Sequence, residues 1–435
     1  MGKKTSFWTF TAALILFFFL AFPMGVSAAD FPYGIHATGQ YPFDDGDGTK
    51  DDPFLISTPQ QLAQLAYDVA QDVSYRDQYL KLTADLDLDG LDWQPIGASA
   101  TEEFMGHFDG NHKTVENLSI GSSATPSNLQ EVGLFGYVAY ATIQHLTIEN
   151  AAVYSSLPGY YGEIGILAGD VTGTLISFCS ASGSISASSR SGSTIGGLVG
   201  SIDSSKDYGL VGCSATVDIL VASEYDGDVG GLIGESSSPM IACNATGNLS
   251  GDGYLGGLAG DSNATIVDCF ATGNISSSEM AGGLVGNNDG NIYNSYATGA
   301  VYGYKYSGGL VGYHSYYNSL IGNCYATGNV SAGAGSSDGG GLIGCSGSML
   351  NSYAAGQVTN GQGLTEYLYA ATAVNCFWNS SLNATGGAGL GKTTSELQDP
   401  SFLLLLNDPA LTGRKPFFRD WIIVTPRPKL PAAFE

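Results

Sequence analysis

Short apolar segments separated by Gly, Asn and Ser recur along most of the chain, and they give the strongest structural signal in the sequence. The motif Gly-Gly-Leu-(Val/Ile/Ala)-Gly occurs at 196–200, 230–234, 256–260, 282–286, 308–312 and 340–344. Looser copies stand at 133–136 and 165–169. The leucines Leu232, Leu258, Leu284 and Leu310 are each 26 residues apart, a regularity that indicates stacked structural repeats.

A second and a third short segment complete each repeat. The second has the form Cys324-Tyr-Ala-Thr-Gly, and the third is a run such as Gly273-Asn-Ile-Ser. Each segment is too brief and too rich in glycine for a helix, so the pattern predicts three short strands per repeat, joined by tight bends. Because a single repeat cannot bury its own apolar side, successive repeats must stack on one another.

Three strands per turn, stacked in register, describe an all-β fold: a parallel β-helix (β-solenoid) of about ten coils, with short helical caps at both ends. We expect the right-handed form, with the longer repeats forming loops that bulge from one corner. The sequence divides into a signal peptide at 1–28, an N-terminal cap helix and opening coils at 29–130, a repeat solenoid at 131–380 and a C-terminal capping segment at 381–435.

The predicted caps are needed because open sheet edges invite aggregation. Thr58 and Gln61 form a capping-box pattern around Pro59, and Leu62, Leu65, Ala66 and Val69 then lie on one helical face. Near the other end, the segment 393–397 opens a second helix, which Pro400 breaks or kinks before an apolar run at 402–406.

The N-terminus has the pattern of an export signal. Lys3 and Lys4 precede an apolar stretch at 12–22, and a small-x-small cleavage pattern follows at 26–28. The apolar core is too short to span a bilayer. We therefore expect cleavage near Ala28 and a mature chain that is secreted, extracellular or at the cell surface, with no membrane insertion after the signal is removed.

Composition and charge exclude several classes of protein. Only 13% of the 435 residues are charged, 62 are glycine, and the formal net charge is −25. Cationic clusters that could neutralise phosphates are absent from the sequence, so nucleic-acid binding is not expected. The abundance of apolar and aromatic residues argues against disorder, and the acidity is most simply explained as a source of solubility.

Six of the seven cysteines occupy the same position of the repeat, which we call the slot. Its members are Cys179, Cys213, Cys243, Cys269, Cys324 and Cys376. Ser295 and Ser352 fill the same position, which indicates that the slot requires a small residue. A ladder of buried thiols is favoured, although disulfides between neighbouring coils stay open because export permits them. Without a Cys-x-x-Cys or Cys/His pairing, a metal site is not expected.

The sequence offers little support for an enzyme. Of the five histidines, only His107 and His112 are close together, and no His-Glu-x-x-His motif is present. Adjacent acids occur at 44–45, 51–52 and 102–103, all before the repeats and without the concentration on one strand face that sugar chemistry would need. We therefore predict no catalytic residue, no metal and no cofactor.

The residue after the slot is the better functional candidate, because it becomes aromatic in five consecutive repeats. These residues are Phe270, Tyr296, Tyr325, Tyr353 and Phe377. Strand alternation places them on the side opposite Cys and Ala, where the early repeats carry Ser and Asn. The pattern predicts an exposed stack that binds sugar rings or a protein partner. The alternative is that these rings fill the core or pack under loops.

The combination of Gly-Gly-Leu-Val-Gly with Cys-Tyr-Ala-Thr-Gly-Asn-Val resembles the GLUG repeats of secreted and surface-located microbial proteins. The segments 46–57, 108–119 and 421–431 are similar to those that flank such repeats, so the resemblance covers nearly all of the mature chain. It implies an extracellular β-solenoid of the kind found in adhesin-like modular proteins and beside catalytic domains in some surface peptidases. It supplies no catalytic residues, and we expect no attached enzymatic or anchoring domain of the kind that larger members have.

Three functions stay open at this point. The first is a secreted, non-enzymatic β-solenoid for cell-surface adhesion or recognition, with an extracellular glycan, polymer or surface protein as partner. The second is a carbohydrate-active β-helix enzyme, a polysaccharide lyase or hydrolase. The third is a purely structural envelope or spacer protein. The sequence fixes neither the ligand nor the oligomeric state.

Overall fold

The structure is a computed structural model. It describes residues 43–157, 161–189, 192–203, 209–223, 227–314, 319–334, 338–345, 347–367, 372–407, 420, 422–424 and 427–429. The predicted signal peptide at 1–28 lies outside the described residues, as do residues 421, 425–426 and 430–431 of the segment 421–431.

The first part of the chain combines one helix with the opening coils. Its elements are β1 (Phe54–Ile56), α1 (Pro59–Val69), β2 (Tyr79–Leu82), β3 (Leu86–Asp87), β4 (His107–Glu116), β5 (Ser119–Ile120), β6 (Glu131–Val132), β7 (Phe135–Ala139) and β8 (Thr142–Leu157). The next, longer coils contain β9 (Glu163–Gly165), β10 (Ala168–Thr172), β11 (Leu175–Ser177), β12 (Ser180–Ser189), β13 (Thr194–Gly196), β14 (Val199–Asp203), β15 (Gly209–Val211) and β16 (Ser214–Ser223).

The following coils are built from very short strands. These are β17 (Asp228–Gly230), β18 (Ile233–Ser236), β19 (Met240–Ile241), β20 (Asn244–Ala245), β21 (Leu249–Gly251), β22 (Tyr254–Gly256), β23 (Ala259–Ser262), β24 (Ile266–Val267), β25 (Phe270–Ala271), β26 (Ile275–Ser277), β27 (Met280–Gly282), β28 (Val285–Asn288), β29 (Ile292–Tyr293), β30 (Tyr296–Ala297) and β31 (Val301–Gly303).

The last coils repeat the same order and end in two helices. The elements are β32 (Lys305–Gly308), β33 (Val311–His314), β34 (Leu320–Gly322), β35 (Tyr325–Ala326), β36 (Val330–Ala332), β37 (Gly339–Gly340), β38 (Ile343–Cys345), β39 (Ser348–Leu350), β40 (Tyr353–Ala354), β41 (Val358–Thr359), β42 (Gly361–Gln362), β43 (Thr365–Tyr367), β44 (Ala373–Val374), β45 (Phe377–Asn379), β46 (Leu390–Lys392), α2 (Thr394–Gln398), α3 (Pro400–Leu406), β47 (Ile422–Val424) and β48 (Arg427–Lys429).

Three sheets run along the solenoid. The long sheet contains 28 strands, and two further sheets contain nine strands each. We call the sheet of β7, β10, β14 and their successors the second sheet, and that of β6, β9, β13 and their successors the third sheet. Strands within these sheets pair in parallel, as β22, β27 and β32 do in the third sheet. The predicted parallel β-solenoid of about ten turns is thereby confirmed, while its hand stays a prediction.

The leucine of the repeat motif forms a single inner file, as predicted. Leu258, Leu284 and Leu310 are fully buried. The amide of Leu258 donates to the carbonyl of Leu284 at 2.7 Å, and that of Leu284 to the carbonyl of Leu310 at 2.7 Å. The file continues through Leu342 to Leu364, which the sequence pattern missed because Gly-Gln-Gly replaces the usual glycine pair there. One apolar core therefore extends through the coils.

The prediction of three strands per repeat was wrong for the first segment, which is divided between two strands. The motif Gly-Gly-Leu-Val-Gly is not one strand, because it spans the corner between the third sheet and the second. Thus β22 ends at Gly256, a bend covers 257–258, and β23 begins at Ala259. The two glycines before the leucine belong to this sharp corner.

Glycine is required at the corner because neighbouring backbones approach too closely for a side chain. A Cβ atom at Gly283 would lie 2.0 Å from the carbonyl oxygen of Gly309 in the next coil and 2.9 Å from the Cβ of Ala297. At Gly260 it would lie 2.3 Å from the amide nitrogen of Val229, in the adjoining sheet. The backbones of the second and third sheets therefore approach each other most closely at their glycines, which carry no side chain.

The two sheets form an acidic cleft on either side of this glycine line. Carboxylates stand just before the motif in the third sheet and just after it in the second. Glu131, Glu163 and Asp228 line one wall, and Asp170, Glu235 and Asp261 line the other. These residues are half-buried.

Burial and mutual repulsion raise the pKa values of carboxyls in the acidic cleft. Burial raises the pKa of Glu163 to about 7, with further increases from the charges of Asp170, Glu131 and Glu235. Burial likewise raises the pKa of Asp170 to about 6, and that of Asp261 to about 6. Because the folded state binds protons more tightly than the unfolded state, these groups destabilise the fold once they ionise.

The predicted short helices are present at both ends of the coils. Thr58 and Gln61 form the expected capping box, and Leu62, Leu65, Ala66 and Val69 of α1 are buried against the first coil. The C-terminal helix is indeed interrupted before Pro400. However, α2 and α3 lie against the side of the last coils, as described below.

The close approach at the corner predicts that even a methyl group at the second glycine lowers the stability of the fold. We expect Gly283→Ala to destabilise the protein by more than about 2 kcal/mol, because backbone of the next coil must move. Thermal unfolding followed by circular dichroism measures the effect. Ser276→Ala, at an exposed position of the preceding coil, is the control and should unfold like the parent. Equal melting of Gly283→Ala and the parent would contradict the close approach.

The acidic cleft predicts stability that falls as pH rises. The stabilising, protonated state is fully populated below the ordinary carboxyl pKa and is lost as pH passes through about 6 to 7. We expect Glu163→Gln to gain about 1 kcal/mol at about pH 8, after allowance for solvent screening, and little at about pH 5. Melting temperatures at the two pH values measure this, with Glu149→Gln as the exposed control. A gain independent of pH would refute the explanation.

Candidate functional site

The predicted aromatic residues form a column on the outer side of the long sheet. The rings of Phe270 and Tyr296 are stacked, with centroids 5.0 Å apart and planes at 4°. Tyr296 stacks on Tyr325 at 4.7 Å, and Tyr325 on Tyr353 at 5.4 Å. Because adjacent strands are parallel and in register, equivalent side chains of successive coils lie directly over one another. The predicted stack is confirmed.

The predicted exposure is wrong for three of the five rings. Tyr325, Tyr353 and Phe377 are only 1%, 0% and 2% exposed. Phe402 of α3 packs edge-on against Tyr353 at 5.7 Å and against Phe377 at 5.0 Å.

The covering helices have an apolar side of their own to bury. Leu397 and Leu406 join Phe402 and the three rings in a second hydrophobic cluster. The apolar run at 402–406 thus covers the column. These rings support packing of the C-terminal segment, which was the alternative considered for them, and they cannot form an exposed platform.

A ladder of asparagines beside the slot also holds the covering helix. Asn294, Asn323, Asn351 and Asn375 each precede a slot residue and have positive φ. Their side-chain amides donate from one coil to the previous one, at 2.7–2.8 Å. Asn351 also donates to the carbonyl of Leu406 at 2.9 Å, and Asn375 to that of Leu405 at 3.1 Å.

These asparagines were not predicted, although the sequence carries a pattern that could have indicated them. Asn stands before Cys or Ser in four successive repeats, and Asn is among the few residues that readily adopt positive φ. The earlier repeats carry Phe178, Gly212, Ala242 and Asp268 at this position, so the identity of the residue is not constant. All of them share the left-handed backbone conformation.

The uncovered end of the column belongs to a wider surface, the neutral face. We define it as the four alternate outward positions that begin one residue after the slot, in the seven coils from Ser180 to Thr359. These positions carry hydroxyl, amide, aromatic, alanine and leucine side chains, and Asp218 is their single charged residue. Four positions in each of seven coils thus carry one charge between them, in a chain whose formal net charge is −25.

Hydrogen bonds along the neutral face order its polar side chains. Thr216 and Thr246 are joined through their hydroxyls at 2.9 Å. The side-chain amide of Asn248 donates to Oδ1 of Asp218 at 3.1 Å, and the side-chain amide of Asn274 donates to Oδ1 of Asn248 at 3.2 Å. Such columns present the same group at each coil, about every 4.8 Å.

A shallow groove on the neutral face surrounds Tyr302. It has a volume of about 290 Å³, and its lining includes Asn274, Asn329, Ser331 and Gln357. The ring of Tyr302 is 46% exposed. Phe270 and Tyr296 are half-buried on the preceding strands, and burial raises the pKa of Tyr296 above its ordinary value. This groove combines an accessible ring with uncharged donors and acceptors.

The cysteine slot is a structural ladder of thiols. All seven cysteines are free and buried, so the thiol-ladder alternative is confirmed and disulfides are not formed. Cys243 donates to the carbonyl of Ile241 at 3.3 Å, and its own amide donates to the Sγ atom of Cys269 at 3.3 Å. Ser295 makes the equivalent bonds through its hydroxyl, which explains why Ser replaces Cys in the slot.

The thiols are not poised for reaction. Burial raises the pKa of Cys324 and Cys376 to about 12, and that of Cys345, outside the slot, to about 11. Since the thiolate is the reactive form, these side chains stay inert at neutral pH.

The described histidines and acids do not form a metal or zinc-peptidase site. His107 and His112 separate, because His107 stacks on Tyr79 whereas His112 packs against His145. His314 is buried, with Nδ1 at 2.9 Å from the Asn288 carbonyl. Among the described residues, no group of three or more His, Cys, Asp or Glu is arranged to hold a metal ion.

Comparison with known proteins relates the repeats to a described motif. The family model of the GLUG motif matches residues 277–302 and 303–331. Halomucin of Haloquadratum walsbyi is 34% identical over 181 residues, which are 40% of this chain and 2% of halomucin. A candidate Gly-rich membrane protein of Evansella cellulosilytica is 30% identical over 178 residues, or 40% of this chain and 19% of that protein. The chain thus spans only a small part of either relative.

Two solved structures align with large parts of the chain. A candidate immunoglobulin A1 protease from Bacteroides ovatus aligns over 90% of this chain and 96% of its own, with 16% identity and a TM-score of 0.41. A second structure, of an IgA1 protease, aligns over 62% of this chain and 21% of its own, with 17% identity and a TM-score of 0.41.

Within the described residues, no helix has the length and apolarity needed to cross a membrane.

The two segments that match the GLUG model begin in β26 and end in β36, so the motif coincides with consecutive turns of the three-sheet coil. The chain carries GLUG repeats, and they form successive coils of its parallel β-solenoid.

Proposed function

We propose that this chain is a non-enzymatic, secreted module that recognises extracellular glycan at a cell surface, and that it binds through the neutral face. The observation that supports the proposal is the nearly complete exclusion of charge from this face in a strongly acidic protein. The predicted signal peptide and the relative named as a membrane protein support an extracellular or surface location.

The chemistry of the neutral face suits an uncharged sugar polymer. Each sugar hydroxyl both donates and accepts a hydrogen bond, and Asn, Gln, Ser and Thr side chains can satisfy both roles. The exposed ring of Tyr302 offers an apolar surface for the C–H groups of a sugar ring. Because the same groups recur along the solenoid axis, a linear polymer can make repeated contacts.

Acidic polymers fit this proposal poorly. The net charge of −25 repels polyanions over distances comparable with the screening length. We therefore assign the neutral face to neutral polysaccharides.

A carbohydrate-active enzyme is the second candidate, and one observation favours it. Glu163 and Asp170 face the acidic cleft with pKa values raised to about 7 and about 6, a property of catalytic carboxyl groups as well as of buried structural ones. Release of reducing ends from a polysaccharide by the parent, but not by Glu163→Gln, would establish this function.

The recognition proposal predicts that Tyr302→Ala weakens binding about tenfold without changing the melting temperature, because the ring is exposed. Affinity electrophoresis in gels containing hydroxyethylcellulose, mixed-linkage β-glucan or galactomannan measures binding, with polygalacturonate as the acidic comparison. Tyr161→Ala is the control, since Tyr161 is 71% exposed and lies outside the neutral face.

Two results would contradict the proposal. If none of the neutral polysaccharides retards the parent, the chain acts as a spacer under these conditions and not as a glycan-recognition module. If Tyr302→Ala binds as tightly as Tyr161→Ala, the neutral face is not the binding surface.

A further inference from the structure

A second groove opens on the long sheet, at the N-terminal end of the solenoid. It has a volume of about 500 Å³, and we call it the N-terminal groove. Strands β2, β4 and β8 form its floor, and the segment before β1 forms its rim. This volume lies in the range of pockets that hold small ligands.

The floor of the N-terminal groove is a pair of stacked rings. Tyr79, His107 and Thr142 occupy equivalent positions of three adjacent strands. The rings of Tyr79 and His107 lie 4.3 Å apart with an angle of 27° between their planes. The Nδ1 atom of His107 lies 2.9 Å from the hydroxyl of Thr142, which fixes the orientation of the imidazole. The two rings hold each other in place, and the part of each ring that its partner does not cover lines the groove.

The rim is held in place by backbone hydrogen bonds. The amides of Asp47 and Gly48 donate to the carbonyl of Asp52 at 3.1 Å and 3.0 Å, which closes the turn that carries Lys50 and Asp51. The amide of Tyr79 donates to the carbonyl of Gly48 at 2.8 Å and ties this turn to the floor. Lys50 and Asp51 are therefore supported at the edge of the groove.

The polar groups around the stacked rings are mixed and balanced in charge. Lys81, Asp109 and Gln144 occupy the next outward positions of the same three strands. With Lys50 and Asp51, the groove offers two lysines and two aspartates, together with the uncharged Gln144 and Thr142. Hydrogen-bond donors and acceptors thus surround the aromatic floor, and the formal charges of the lysines and aspartates cancel.

Burial lowers the pKa of His107 below its ordinary value. The charge of Asp77 opposes this shift, and that of Lys50 adds to it. The imidazole is therefore uncharged at neutral pH and can either donate or accept through Nε2.

We infer that the N-terminal groove is a binding pocket for one or two units of a neutral pyranose sugar. Sugar hydroxyls need donors and acceptors together, which the lysine, aspartate and glutamine side chains supply. The C–H face of the ring packs on Tyr79. An anionic ligand would be attracted by the lysines but repelled by Asp51 and Asp109, so charge selects an uncharged ligand.

This pocket is distinct from the neutral face in position and in chemistry. The pocket belongs to the opening coils and uses charged donors and acceptors, whereas the neutral face begins at Ser180 and excludes charge. The inference shares with the proposed function only the class of ligand, a neutral glycan. Either surface can bind without the other.

The test uses the full secreted chain and a panel of neutral disaccharides: cellobiose, lactose, mannobiose and N,N′-diacetylchitobiose, with digalacturonate as the acidic comparison. Saturation-transfer-difference NMR detects binding, and isothermal titration calorimetry measures affinity. We expect at least one neutral disaccharide to bind the parent. Lys81→Ala and Gln144→Ala should each weaken it about tenfold.

Three variants serve as controls. Lys113→Ala, in β4 but outside the groove, should bind like the parent. Tyr79→Phe should retain binding and Tyr79→Ala should lose it, with circular dichroism confirming that both are folded. Tyr302→Ala should leave disaccharide binding unchanged, which separates this pocket from the neutral face.

The inference is overturned if none of the neutral disaccharides binds, if digalacturonate binds in preference to them, or if Lys81→Ala and Gln144→Ala both bind as the parent does. Loss of disaccharide binding in Tyr302→Ala, with Lys81→Ala unaffected, would transfer the site to the neutral face. If the parent binds disaccharides but none of the neutral polysaccharides, the proposed function is refuted while the inference about the pocket is retained.

Discussion

The approach of backbone to backbone at the glycine corner is the constraint on which the rest of the structure depends. At Gly283, the carbonyl of the next coil occupies the place where a side chain would begin. This closeness lets each corner leucine donate to the leucine above it, and so sets the register of all three sheets. Once the register is fixed, every column on the surface follows, because equivalent residues must lie over one another. The aromatic column, the asparagine ladder and the neutral face are all products of that one spacing.

The same corner explains why the protein has two surfaces of opposite character. Positions beside the glycines face each other across a narrow cleft, where carboxylates such as Glu163 and Asp170 repel one another and hold protons more tightly. Positions of the neutral face, on the long sheet, carry hydroxyl and amide groups instead, and they face solvent where α3 does not cover them. Solubility can be supplied by acids placed away from the neutral face, so that face needs no charge of its own. This separation supports the proposed binding role of the neutral face.

The period of the repeat made much of the fold predictable, but contacts between distant segments were not. Leu258, Leu284 and Leu310 could be placed in one file because their spacing alone requires it. Tyr325 and Tyr353 could be placed on the outer side by alternation, but their burial depends on α3, whose Phe402 packs on Tyr353 from 49 residues later in the chain. The acidic cleft was missed for a related reason. Glu163 and Asp170 look unremarkable in sequence until the corner between them brings two sheets together. Likewise, Tyr79 and His107 meet only through the register of the opening coils.

The covering helix determines where the solenoid can bind. Asn351 and Asn375 direct their side-chain amides to the carbonyls of Leu406 and Leu405, so the ladder that orders the coils also anchors α3. Three rings of the aromatic column are thereby committed to packing. The accessible rings of the two proposed binding surfaces are Tyr302, with its half-buried neighbours on the neutral face, and Tyr79 at the other end. Because both lie toward the N-terminal side of α3, a glycan chain would have to approach the middle and the start of the solenoid, while the last coils serve to hold the C-terminal segment in place.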